Sequence, residues 1–148
     1  MQCEWMVPWT TGTIEAVAHR NGTDIARAKQ RTSPDPVKLE ISVENENLKA
    51  DKENISIITV KEVDRNGTLY PYGENRVYTK VCGGARMLSF ESGNPVDIET
   101  NFNATSTCCF FGLNSMFIQS TDTDASKPVS VYVGAVCGDK TLMTSDLI

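Results

Sequence analysis

A two-residue alternation of apolar and polar side chains limits this chain more than any other feature. Val37, Leu39, Ile41 and Val43 alternate with Lys38, Glu40 and Ser42. Successive side chains of a strand point to opposite faces, so this run reads as a strand with one buried and one wet face. The run 55–63 is β-branched and apolar on both sides at Ile57 and Ile58, as a central strand covered by a second sheet requires. Further strands are predicted over 76–81, 87–90, 110–120 and 129–137, with a short terminal one over 141–148. Clusters of Gly, Pro, Asn and Asp separate them, and Asp64-Arg65-Asn66-Gly67-Thr68 carries hairpin-turn chemistry. Helical periodicity is weak everywhere, and its best window, 23–30, is short and broken by charges. The class is all-β, and short strands at this spacing point to a sandwich.

A chain of 148 residues holds one domain with a proper core, or one domain and a fragment of another. Residues 13–18 and 24–29 flank His19-Arg20-Asn21-Gly22-Thr23 and read as a β-hairpin. Ser33-Pro34-Asp35-Pro36 then interrupts regular structure and reads as a linker. The division is therefore a first unit over 1–36, linker included, and a domain proper over 37–148. A lone two-stranded hairpin is marginal in water, and its open edges invite pairing. Residues 1–32 are expected either to fold back onto the main sandwich or to mediate self-association.

Charge and hydropathy remove several function classes. The net charge is −5, and Lys and Arg are scattered among acids instead of forming a stripe, which leaves no footprint for nucleic acid. No window approaches the 18 or so apolar residues of a membrane helix, so no membrane span is expected. The N-terminus MQCEWMVPWTTG lacks the basic start and apolar run of a secretory signal; if the parent protein is exported, its signal lies upstream. The compartment is left open. Five cysteines, Cys3, Cys82, Cys108, Cys109 and Cys137, include no C-x-x-C pair, so neither a zinc knuckle nor a thioredoxin motif is present. Cys108 and Cys109 are strand neighbours facing apart. A Cys82 to Cys137 bridge stands as one reading, and buried free thiols packing as small apolar groups as the favoured one. Sequons at Asn21, Asn54, Asn66 and Asn103 are glycan acceptors only in a eukaryotic secreted protein, and are otherwise good turn residues.

Three segments occur in order: LKADKENISIITVKEVDRNG, SGNPVDIE and FFGLNSMFIQST. Together they resemble the C-terminal immunoglobulin-like module of glycoside hydrolase family 2, the β-galactosidase-like enzymes. The resemblance runs from Val37 almost to Ile148. It implies an immunoglobulin-like antiparallel β-sandwich preceded by a hairpin remnant of another sandwich. Trp5, Val7, Pro8, Trp9, Gly12 and Thr13, with the strand to Ala18, look like the last strands of that preceding sandwich. Two departures stand out: Phe111 occupies a place where the family tends to have Asn, and Cys108-Cys109 replaces basic or small residues. The resemblance further implies a non-catalytic accessory region of a retaining glycosidase, with the remaining domains of the parent enzyme as its partners. The catalytic glutamates of such enzymes lie in a (β/α)8 barrel of about 250 residues, and neither catalytic motif occurs here. No catalytic, cofactor or metal residue is assigned.

Other constellations are weaker. Glycoside hydrolysis by retention needs two carboxyl groups about 5 Å apart; Glu91, Asp97 and Glu99 are conceivable, but solvated loop and strand-edge acids are the favoured reading. His19 is the sole histidine and sits in a turn, leaving no material for a Ser-His-Asp triad elsewhere. Asp122 and Asp124 supply oxygens that calcium prefers, without the twelve-residue loop pattern, and read as a connecting loop. Trp5, Trp9, Tyr70, Tyr72 and Tyr78 are candidates for a sugar-stacking platform, against which packing between domains is the favoured reading. Carbohydrate binding and cell-surface adhesion are the alternative functions.

Overall fold

The structure is a computed structural model and describes residues 3–121 and 127–147. The Asp122 and Asp124 loop lies outside the described residues. The described residues contain ten strands and no helix, and every pairing is antiparallel. Two compact units divide the chain, residues 1–32 and residues 33–148.

The first unit is a hairpin of β1 (Thr13–Arg20) and β2 (Thr23–Arg31). Asn21 and Gly22 both have positive φ, 51° and 79°, the geometry of the two-residue hairpin turn for which Asn-Gly is suited. The window 23–30, the best helical one in the sequence, is therefore strand. Across the hairpin Ile14 faces Gln30, Ala16 faces Ala28 and Ala18 faces Ala26, so one side of the ribbon is mostly small and apolar. The other side carries charge: Arg27 binds Glu15 at 3.1 Å and also contacts Asp24. Almost every residue of both strands is exposed.

The second unit is a sandwich of two four-stranded sheets. One has the order β3-β4-β8-β6, from Lys38–Val43, Ile55–Val63, Leu113–Ser120 and Ala85–Glu91. The other has the order β10-β9-β5-β7, from Lys140–Leu147, Val129–Cys137, Arg76–Gly83 and Ser106–Cys108. Inward-facing Ile58, Val60, Phe90, Met116 and Ile118 of the first sheet form one buried cluster with Val77, Val131, Val133, Ala135 and Leu142 of the second. Burial of these side chains, at about 1.5–3 kcal/mol each, holds the sheets face to face.

The strand expected over 110–120 begins only at Leu113. Phe111 and Gly112 have φ of 52° and 74°, and Phe110 closes this turn on Leu113. A Cβ on Gly112 would stand 2.2 Å from the Tyr70 carbonyl oxygen, so backbone packing demands glycine there. Phe111 thus occupies the left-handed region that Asn tolerates far better. The three-residue β7, Ser106–Cys108, is too short to show alternation in the sequence. All five cysteines are free, and the proposed Cys82 to Cys137 bridge is absent. Burial as free thiols holds for Cys109 alone; Cys82, Cys108 and Cys137 are half-buried and Cys3 is exposed.

Candidate functional site

Inward positions of β4 run Ser56, Ile58, Val60, Glu62, so an apolar face ends in a fully buried acid. Asn75 meets this carboxylate twice: its backbone N–H donates to Oε1 (3.2 Å) and its side-chain Nδ2 to Oε2 (2.6 Å). The backbone of Glu62 is also engaged, its N–H donating to the Gly112 carbonyl (2.9 Å) and its carbonyl accepting from Tyr70 N–H (2.8 Å). Beside it Cys109 donates its thiol proton to Asn114 Oδ1 (2.6 Å), and Asn114 Nδ2 donates to the Cys108 carbonyl (3.1 Å). Burial pushes the Cys109 thiol well above the ordinary range, and the Glu62 carboxylate adds to this. A thiol so protonated is inert as a nucleophile. Gly73 completes the cluster, since a Cβ there would lie 2.9 Å from the Glu62 carboxyl. The whole group fastens the loops 69–75 and 109–113 to the end of the sandwich.

Two of the three acids considered for glycoside chemistry are tied into local structure. Glu99 is gripped by both terminal nitrogens of Arg76, one at 3.0 Å, and this bond holds its carboxyl below the usual range. A general acid needs the opposite shift. Asp97 Oδ1 accepts the Glu99 backbone N–H at 2.9 Å, a turn-forming role. Glu91 lies within β6 opposite Ser115. His19, in the first unit, is exposed and contacts Asp24 at 2.7 Å. Among the described residues no group of His, Cys, Asp and Glu is arranged to hold a metal ion.

The proposed aromatic set separates. Trp5 and Trp9 are 69% and 78% exposed and belong to the first unit. Tyr70 and Tyr72 pack edge to face, centroids 6.1 Å apart, and the Tyr70 hydroxyl is pushed up by burial and, secondarily, by Asp35. Tyr78 stands on the outer face of its sheet, where Tyr132, which no local pattern links to it, joins it through the β5–β9 register.

Residues 39–136 match the family described as glycoside hydrolase family 2 C-terminal domain 5. The fold and the match together define a β-sandwich module of glycoside hydrolases. The chain belongs to the family 2 C-terminal domain 5 family. It is 39% identical over 152 aligned positions to a putative beta-glucuronidase of Formosa agariphila, covering all of this chain and 14% of that protein. A beta-galactosidase of Bacteroides ovatus is 28% identical over 116 positions, which cover 78% of this chain and 14% of that enzyme. Among solved structures, a beta-glycosidase from Bacteroides vulgatus superposes with a TM-score of 0.86 at 24% identity over 97% of this chain and 18% of that one. A family 2 member from Bacteroides cellulosilyticus gives 0.84 at 26% identity over 97% of this chain and 19% of its own. The chain thus spans less than a fifth of the length of each of these relatives.

Proposed function

We propose that this chain is a non-catalytic accessory region of a family 2 glycosidase of the β-glucuronidase or β-galactosidase kind, and that its work is structural, packing against the enzyme's other domains. The observation that carries this reading is the bare hairpin. Ile14, Ala16, Ala18, Ala26 and Ala28 line one side of a two-stranded ribbon and are exposed, and Trp5, Trp9 and Ile25 are exposed as well. A ribbon of two strands is not independently stable, and small side chains allow a neighbouring element to approach closely. Strands contributed by the rest of the parent enzyme would cover this side. The acids of the sandwich favour the same reading, since Glu62 and Glu99 are each consumed by an internal partner.

The test has two arms. The chain alone is assayed against aryl β-glucuronide and β-galactoside, and the parent enzyme is assayed with and without this segment. The expected result is no hydrolysis by the chain, and a truncated parent that melts lower or aggregates. Turnover by the chain alone, or a truncated parent with unchanged melting temperature and kcat/KM, would sink the proposal.

A further inference from the structure

The outer face of the β10-β9-β5-β7 sheet has a composition unlike an ordinary solvated face. On β5 the buried Val77 and Thr79 alternate with outward Arg76, Tyr78 and Lys80, and on β9 the buried Val131, Val133 and Ala135 alternate with outward Tyr132, Gly134 and Val136. The register sets Tyr78 opposite Gly134 and Lys80 opposite Tyr132. The two tyrosines are therefore diagonal neighbours, about 7–8 Å apart in such a ladder. They are 55% and 49% exposed, and neither takes part in a ring–ring contact among the described residues. Gly134 places no side chain directly across from Tyr78 on β9.

We propose that this face binds a uronate-bearing oligosaccharide, with Tyr78 and Tyr132 stacking on sugar rings and Lys80 pairing with a sugar carboxylate. One face of a pyranose is largely C–H, which suits the electron-rich face of a phenol ring, while the phenolic hydroxyls remain free for the sugar's edge. The charge pattern selects the acidic sugar. The chain carries −5 overall, yet the charges that β5 projects here are cations. Arg76 is already held by Glu99 and reaches Ser106 Oγ at 3.4 Å, whereas Lys80 is in no ion pair among the described residues. An exposed ammonium directly opposite one tyrosine and two residues from the other attracts a carboxylate without displacing an internal partner. This role is separate from the packing role of the hairpin, which lies on the other unit.

The experiment is a titration of the isotope-labelled 148-residue chain with a galacturonic acid tetrasaccharide, and with the corresponding neutral galactose tetrasaccharide, followed by amide chemical shifts. Saturable shifts confined to β5 and β9, at least tenfold tighter for the acidic sugar, are expected. Tyr78→Ala and Tyr132→Ala each weaken binding tenfold or more, and Tyr72→Ala changes nothing. Lys80→Glu, an exposed change that leaves circular dichroism and melting unaltered, abolishes the preference for the acidic sugar and so keeps the test independent of folding. Absence of saturable shifts, shifts centred on Trp5 and Trp9, equal affinity for the two sugars, or unchanged binding by Lys80→Glu would each overturn the proposal.

Discussion

Glu62→Ala is the perturbation that bears hardest on how the sandwich is closed at one end. The Glu62 side chain is fully buried and accepts both the backbone N–H and the side-chain amide of Asn75. Hydrogen bonds to a charged group contribute about 1.5–3 kcal/mol each, so the two from Asn75 together are worth about 3–6 kcal/mol. The lower part of that range is the better guide, because the carboxylate's own desolvation cost disappears with the side chain, so a loss of about 3–4 kcal/mol is expected. Glu62→Gln keeps an acceptor for the Asn75 backbone but sets its amide against the Asn75 amide, so a smaller loss of about 1–2 kcal/mol is expected. For a unit of this size each kcal/mol moves the melting temperature by roughly 3–5 °C, which puts Glu62→Ala about 10–20 °C below the parent. The probe matters. Trp5 and Trp9 are exposed and lie in the first unit, so intrinsic tryptophan fluorescence is blind to sandwich unfolding; far-UV circular dichroism in urea is the suitable readout. A double-mutant cycle with Asn75→Ala should give a coupling of about 1–3 kcal/mol. The reasoning is refuted if Glu62→Ala costs under about 1 kcal/mol, or if the two substitutions prove additive.

Three further outcomes are expected. Phe111→Asn relieves a left-handed backbone conformation that costs a bulky residue about 1–2 kcal/mol; against this stands loss of the Phe110 ring contact at 4.3 Å, at the low end of about 0.5 kcal/mol, so a net gain near 0.5–1 kcal/mol in urea denaturation is predicted, and a lower midpoint would contradict it. Asp51 accepts the backbone N–H groups of Glu53 (2.9 Å) and Asn54 (2.6 Å), which hold its carboxyl below the ordinary aspartate range. A folded-state value below the unfolded one means the contribution is complete above the unfolded pKa, near 4, and is lost as pH falls through the folded value. Carbon-detected titration should show that low midpoint, and Asp51→Asn should flatten stability against pH on the acid side; an ordinary aspartate midpoint argues otherwise. Cys109, buried and with its thiol pushed up, should resist iodoacetamide in the native state while Cys3 reacts at once, and mass-mapped labelling of Cys109 as fast as Cys3 would contradict the buried placement.

Much of the fold was legible locally. The alternation at 37–43, the both-sided run at 55–63 and the span 129–137 correspond to β3, β4 and β9 within a residue, because a strand's inside and outside are written in its own side chains. The hairpin turn at Asn21-Gly22 was legible for the same reason, since two residues carry its geometry. Errors fell where a distant backbone decided the outcome. Phe110 to Gly112 has the hydrophobicity of a strand, but the Tyr70 carbonyl leaves room only for a glycine turn. In the sequence Glu62 is one polar residue within a strand, and nothing near it announces a partner thirteen residues away.

The sequence by itself determined the class, most of the strands, the Asn-Gly turns and the family match, all of which rest on patterns spanning a few residues or on motifs kept in order. The tertiary structure alone decided which residues meet. Tyr78 and Tyr132 are neighbours because β5 pairs with β9 across more than fifty residues of chain, and Arg76 finds Glu99 because a loop returns beside β5. The free energy of strand association fixes that register by burying Val77, Val131 and Val133 together. A shift of one residue would turn every one of those side chains to water, and the outward face follows from what the inward face must bury.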